Sequence, residues 1–328
     1  MREPIRTLGV IGTGVIGAGW AARALANGLD VLAWDPAADW QAGLQAAIDN
    51  AWPALASLGL SRDAGRERLR FAQSLSDVCA GADFIQESAP ERLPLKRDLH
   101  ARIDAEAPED VIVASSTSGL LPTDLQSGCR YPGRLVVGHP FNPVYLLPLV
   151  EVLGGEHTAA ASVDAAMAFY RDLGMHPLKV RTEIEGFLSD RLQEALWREL
   201  LHLVNDDVAT TEELDEAIVY GPGLRWAFMG TCLSFHMAGG EGGMADFMKQ
   251  FGPALKLPWT RLEAPELTDE LVGKLADGTR RQAAGRSVGE LVRLRDECLV
   301  AIMQALRRFE IGVGGTLAEN EGRRSGEG

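Results

Sequence analysis

The chain has 328 residues, 46% hydrophobic and 24% charged, with a formal net charge of −14. That length supports two domains with buried cores, and the acidic balance excludes a general nucleic-acid binder, which needs a basic footprint. No apolar run reaches the roughly 18 residues of a membrane-spanning helix, so no membrane association is expected.

The start, with Glu3 and Pro4 ahead of an apolar stretch, reads as neither a signal nor a transit peptide. Residues 5–11 have the character of a short buried parallel strand. An alanine-rich helix is predicted over 17–27, capped by Gly28, and a second strand over 30–34 ends at Asp35. Residues 36–70 read as a helical excursion. Further strands are predicted at 84–86, 111–115, 135–138, 149–152 and 177–180, with helices between them. This alternation predicts an α/β domain over 1–182, built on a Rossmann-type doubly wound parallel sheet. Helical periodicity then takes over at 188–204, 212–218, 244–250 and 287–309, giving an all-helical C-terminal domain over 183–311. The glycine- and charge-rich stretch 312–328 reads as a disordered tail.

The four cysteines, Cys79, Cys129, Cys232 and Cys298, have neither paired nor metal-binding spacing. They read as reduced thiols of a cytoplasmic protein, with no metal site.

Gly12-Thr13-Gly14-Val15-Ile16-Gly17 fits the G-x-G-x-x-G pattern, with a predicted strand before it and a helix after it. In that pattern Gly12 permits the tight turn, Gly14 lets the backbone approach a pyrophosphate, and Gly17 lets helix and strand pack closely. The free N–H groups of the helix start favour the phosphates. Asp35, at the end of the next strand, is placed to accept bonds from ribose hydroxyls and to repel a 2′-phosphate, which favours NAD over NADP. It also fits a helix N-cap ahead of Pro36, and the two readings are compatible.

His139 follows a predicted strand in Gly138-His-Pro-Phe-Asn-Pro143, and Glu151 ends another strand-like segment. A lone histidine is more often structural than catalytic. Downstream of a dinucleotide fingerprint, however, a histidine whose tautomer is fixed by a carboxylate is a candidate general base for an alcohol.

The fingerprint, Glu87-Ser-Ala-Pro-Glu91 followed by Lys96, Ser115-Ser-Thr-Ser118, and the His139 segment with Glu151 together resemble the L-3-hydroxyacyl-CoA dehydrogenase superfamily. The resemblance covers nearly the whole chain. It implies His139 as general base, Glu151 as its orienting partner, Ser118 on the substrate oxygen and Asn142 positioning nicotinamide and substrate. It also implies that Glu91 and Lys96 contact the cofactor; without it they read as a solvated charge pair. A homodimer built through the second domain is implied as well. Asp190 stands where the acyl-CoA enzymes usually show asparagine, which points either to a different substrate or to a local bond.

Tyr220-Gly-Pro-Gly-Leu-Arg-Trp-Ala-Phe-Met-Gly230 and Phe251-Gly-Pro-Ala-Leu-Lys-Leu-Pro-Trp259 look most like the carnitine branch of that superfamily, and the gulonate dehydrogenase and λ-crystallin branch shares part of the pattern. The activity so implied is NAD-dependent oxidation of the 3-hydroxyl of L-carnitine, a small substrate carrying a quaternary ammonium group. Such a cation is held by aromatic faces and negative charge. Trp226, Phe228, Phe251 and Trp259 are candidate walls, Phe141 and Tyr145 lie near the base, and Arg225 is a candidate for the substrate carboxylate. Ser118, Asp190, Trp226 and Phe251 form the expected substrate set. Gulonate or 3-hydroxybutyryl-CoA as substrate, or a crystallin-like structural role, are the alternatives.

Overall fold

The protein is described by a computed structural model, which covers residues 5–227, 229–239, 241, 243–262, 266, 268–271 and 283–325. Phe228 lies outside the described residues.

Eight strands form one sheet: β1 (Thr7–Ile11), β2 (Asp30–Trp34), β3 (Leu69–Phe71), β4 (Phe84–Glu87), β5 (Ile112–Ser115), β6 (Leu135–Pro140), β7 (Leu149–Gly154) and β8 (His176–Lys179). Their order is β3-β2-β1-β4-β5-β6-β7-β8. Alternating side chains divide the core between the two faces, with Leu8 and Val10 in one apolar cluster and Ile11, Ile85 and Val113 in another. Both faces are covered, as a mostly parallel sheet requires. The strand order reverses between β1 and β4, which leaves a crevice beyond their carboxyl ends.

The flanking helices are α1 (Val15–Ala26), α2 (Trp40–Leu58), α3 (Leu75–Gly81), α4 (Leu93–Glu106), α5 (Pro122–Gln126) and α6 (Ala160–Asp172). Glycine and alanine let α1 sit close to the sheet, and every position from Gly17 to Ala26 is buried. The predicted excursion over 36–70 contains α2, whose Leu44, Ile48, Ala51 and Leu55 face the core, and runs into the short edge strand β3. Three residues with Arg70 at their centre give no strand signal.

One pair departs from the parallel pattern: β6 and β7 run antiparallel. Their connection, residues 141–148, is too short for the crossover of a dozen or more residues that a parallel pair needs. The register sets His139 directly opposite Glu151.

The later helices are α7 (Ser189–Asn205), α8 (Thr211–Val219), α9 (Pro222–Trp226), α10 (Thr231–Ala238), α11 (Gly243–Phe251), α12 (Val288–Arg307) and α13 (Val313–Ser325). Two compact units result. The first takes residues up to Asp190, then Asp296–Arg308 and the stretch from Gly314; the second takes Arg191–Arg295 and Phe309–Val313. In the second unit the rings of Phe235, Phe247 and Phe251 stack at centroid distances of 4.6 and 4.9 Å.

The expectation of a disordered tail is corrected by α13. Its contacts are polar and invisible to hydropathy: Asn320 Nδ2 donates to the Gly174 carbonyl at 3.0 Å, and Arg307 pairs with Glu321 at 2.6 Å. Gly314 permits the approach, because a Cβ there would fall 2.2 Å from the Leu306 backbone.

A buried polar cluster joins β4, α4 and β5. Glu87 has no exposed surface and accepts from Lys96 Nζ at 2.8 Å, Ser115 Oγ at 2.7 Å and the Ala89 N–H at 2.5 Å. His100 Nε2 lies 2.9 Å from its other oxygen. Burial opposes the charge of Glu87, but the bonds from His100 and Lys96 outweigh it and hold the carboxyl down at about 2. Glu87→Gln leaves the buried Lys96 ammonium with only the Glu91 carboxylate at 3.6 Å, which costs about 3 kcal/mol. Urea unfolding at neutral pH checks this; an unchanged midpoint would refute it. Because the folded-state pKa is depressed, the wild-type advantage is present above the ordinary glutamate range and shrinks as pH falls toward about 2.

Candidate active site

The crevice at the carboxyl ends of β1 and β4 is a cleft of about 1120 Å³ lined by Gly12, Gly14, Asp35, Ser88, Arg92 and Arg102, among others. Gly12 has φ +88°, and a Cβ there would strike the Ser88 backbone at 2.7 Å. A Cβ on Gly17 would fall 1.9 Å from the Gly12 carbonyl oxygen, so both glycines are required by close packing. Gly14 differs, for nothing lies within 4 Å of its Cβ direction. That open face stands at the N-cap of α1, which carries no side-chain cap, and Val15 beside it is exposed. Unclaimed N–H groups at the start of a twelve-residue helix are what a pyrophosphate binds. Ile16 turns inward and packs against the core.

Asp35 does not cap a helix, since α2 starts at Trp40 behind Asp39; it holds the turn after β2 and remains a cofactor candidate. Its Oδ2 accepts from the Thr13 N–H at 2.8 Å and the Thr13 hydroxyl at 3.3 Å, and its Oδ1 accepts from the Ala37 N–H at 2.9 Å. It therefore shapes the glycine loop and the turn after β2 together, while still lining the cleft. The residues fit a dinucleotide on all three counts: the open Gly14 face, the uncapped helix start and the acid at the end of β2.

His139 and Glu151 form a buried pair, with Nδ1 to Oε2 at 3.0 Å. The other Glu151 oxygen, Oε1, accepts from the Leu188 and Ser189 N–H groups, both at 3.0 Å, at the start of α7. Burial works against the Glu151 charge, but these bonds from His139, Ser189 and Leu188 keep the carboxyl below its ordinary range. With Glu151 ionised, Nδ1 carries the proton and donates it, leaving the lone pair on Nε2. Asp190 Oδ2 lies 3.7 Å from that Nε2. The ring of Phe141 stands 5.6 Å and that of Phe187 5.5 Å from the imidazole, centroid to centroid.

Ser118 follows β5, which neighbours β6, and is exposed; its N–H donates to Glu91 Oε1 at 3.0 Å, and the Thr117 hydroxyl donates to the same oxygen. Asn142 is exposed in the loop after β6. Lys96 is only 1% exposed and its ammonium lies 2.8 Å from Glu87 and 3.6 Å from Glu91, so it is not half of a solvated charge pair. Trp226 and Phe251 are exposed residues of the second unit.

Sequence reasoning missed the part played by the Leu188 and Ser189 amides, by Glu87, and by Arg23. The Arg23 guanidinium is buried and donates to three backbone oxygens, those of Val144 at 2.8 Å, Gly174 at 3.2 Å and Leu147 at 3.5 Å. Only Lys96 and His100, one turn apart on the same face of α4 as buried Ile103, left a periodic trace of the Glu87 cluster in the sequence.

A glycine loop that fits a dinucleotide and a carboxylate-held histidine on the same sheet are the equipment of an alcohol dehydrogenase, and the likeness to known proteins agrees. The family model described as 3-hydroxyacyl-CoA dehydrogenase, NAD binding domain, matches residues 7–184. The C-terminal domain of the same family matches residues 186–283. The chain is 59% identical to an L-carnitine dehydrogenase of Pseudomonas aeruginosa over 96% of this chain and 98% of that one. It is 53% identical to an L-carnitine dehydrogenase of Oceanobacillus iheyensis over 93% of this chain and 99% of the other. Among solved structures, a 5-formyl-3-hydroxy-2-methylpyridine 4-carboxylic acid 5-dehydrogenase, described as an NAD+ dependent dismutase, superposes with a TM-score of 0.78 at 29% identity. That likeness covers 92% of this chain and 99% of that one. With both domains matched in order and more than half the residues shared with such relatives, the chain belongs to the 3-hydroxyacyl-CoA dehydrogenase family of NAD-dependent enzymes.

Proposed function

We infer that the chain oxidises the 3-hydroxyl of L-carnitine to 3-dehydrocarnitine with NAD. The observation that carries the chemistry is the His139–Glu151 pair at 3.0 Å, with Nε2 left as the free base position. The observation that supports the substrate is high identity to L-carnitine dehydrogenases along nearly the full length of both chains.

In this reading His139 Nε2 takes the hydroxyl proton. Glu151 Oε2 holds Nδ1–H, fixes the tautomer and stabilises the imidazolium as it forms. NAD held in the cleft by the glycine loop and Asp35 would supply the hydride acceptor for C3. The first turn of α1 binds its pyrophosphate, and Asp35 takes the ribose hydroxyls. Ser118 bonds the substrate oxygen, and Asn142 positions substrate and nicotinamide. Glu91 contacts the cofactor side of the cleft, and Lys96 acts through it, given its 3.6 Å contact with Glu91. Trp226 and Phe251 are placed in the substrate set. The reading includes a homodimer, supported by the exposed Leu233, Phe235, Met237 and Leu255 of the second unit. It also includes a cytoplasmic location: all four cysteines are free thiols, and no helix among the described residues is long and apolar enough to cross a membrane.

NAD reduction measured with L-carnitine, D-carnitine, L-gulonate and 3-hydroxybutyryl-CoA is expected to be fastest with L-carnitine; no reduction with it overturns the substrate. His139→Ala is expected to lower kcat by about 10²–10⁴-fold with intact folding, the range of a positioned general base. Turnover at the wild-type rate in that variant removes His139 from the mechanism. Asp35→Ala is expected to weaken NAD binding by about tenfold, equivalent to roughly 1.4 kcal/mol. Titration by protein fluorescence checks this, and an unchanged Kd removes Asp35 from the ribose site.

A further inference from the structure

We propose that Asp190, with the ring of Phe141, recognises the trimethylammonium group of the substrate and so sets the preference for a cationic 3-hydroxy acid. This rests on the L-carnitine reading above.

The placement of Asp190 carries the argument. Its Oδ2 is 3.7 Å from His139 Nε2, the ring nitrogen that Glu151 does not hold. The distance is too long for a hydrogen bond, so Nε2 keeps its capacity to accept a proton. Asp190 is 26% exposed at its side chain, against 6% for His139 and 0% for Glu151, so within this cluster it is the carboxylate that a substrate meets. Its position is held from below, because Glu151 Oε1 binds the N–H of Ser189, its neighbour in the chain, and that of Leu188. The base and the second carboxylate are thus fixed by the same residue.

The substrate brings its charge to the same place. In L-carnitine the hydroxyl oxygen and the quaternary nitrogen are joined through only two carbons, C3 and C4. An oxygen within about 2.8 Å of Nε2 therefore brings the cation to the immediate surroundings of the base. A quaternary ammonium has no N–H to donate, so it is held by opposite charge and by aromatic faces. Asp190 supplies the first, and Phe141, half-buried at 5.6 Å from the imidazole, supplies the second. A neutral 3-hydroxy substrate gains nothing from that carboxylate and must still desolvate it.

An aspartate in the first turn of α7 also suits the helix dipole, a role that needs no substrate. The test therefore reads a quantity that helix stability does not move. The ratio of kcat/KM for L-carnitine to that for its neutral carbon isostere, 3-hydroxy-5,5-dimethylhexanoate, is measured in the wild type and in Asp190→Asn. The expected result is a fall of the ratio by at least tenfold, mostly through the KM for L-carnitine, with the KM for NAD within twofold. Phe141→Leu is expected to lower the ratio by a smaller factor. If Asp190→Asn does not fold, Asp190→Ser supplies the same ratio. An unchanged ratio in a folded variant that still oxidises L-carnitine overturns the role of Asp190 alone. A wild-type protein that does not oxidise L-carnitine overturns this proposal together with the reading it rests on.

Discussion

A carboxylate without exposed surface stays ionised only if hydrogen bonds replace the water it has lost, and Glu151 meets that condition by dividing its two oxygens. One holds the imidazole of His139, and the other holds two amides at the start of α7. His139 and the first turn of that helix are therefore set by one buried group. The antiparallel register of β6 and β7 is what brings His139 and Glu151 face to face, so the sheet rather than a flexible loop determines the distance between them.

The second constraint is the packing of α1. Its N-terminus, left uncapped by any side chain, carries the glycine loop, while Arg23 near its other end takes carbonyls from the loop that follows His139. Gly19 adds to this, since a Cβ there would meet the Cβ of Val144 at 2.8 Å. The helix that leaves its first amides uncapped thus also fixes the loop after His139. The glycine loop and the His139 loop are referred to one rigid element, the kind of arrangement that the proposed removal of a hydride and a proton at adjacent atoms requires.

Much of this was legible in the chain. The apolar runs bounded by glycine, the glycine fingerprint, the acid closing the second strand, and the histidine and carboxylate on neighbouring strand ends are local patterns, and each has its predicted place. What was hidden depends on long-range pairing. The sheet reads as wholly parallel until the eight-residue link 141–148 is recognised as too short for a crossover. Lys96 reads as a surface charge because only the fold brings it to Glu87. The stretch after Gly312 reads as disordered because its glycines and charges are counted as solvation. In the structure Gly314 allows close contact with the end of α12, and Asn320 and Glu321 find polar partners.

The bonds of Arg23 also bear on the order in which the protein is assembled. They span 121, 124 and 151 residues of chain, and closing loops of that size carries an entropic cost that nearby contacts do not meet. β1, α1 and β2 follow one another in the chain, whereas Arg23 gains its acceptors in the loop after His139 only with Val144 and Leu147, and its third acceptor only with Gly174. During synthesis, a nascent chain that ends short of Gly174 already contains His139, Glu151 and the loop carbonyls that Arg23 binds, but lacks the third acceptor of that guanidinium. The glycine loop and the His139–Glu151 pair are therefore completed at separate points of synthesis, in the order of their residues along the chain.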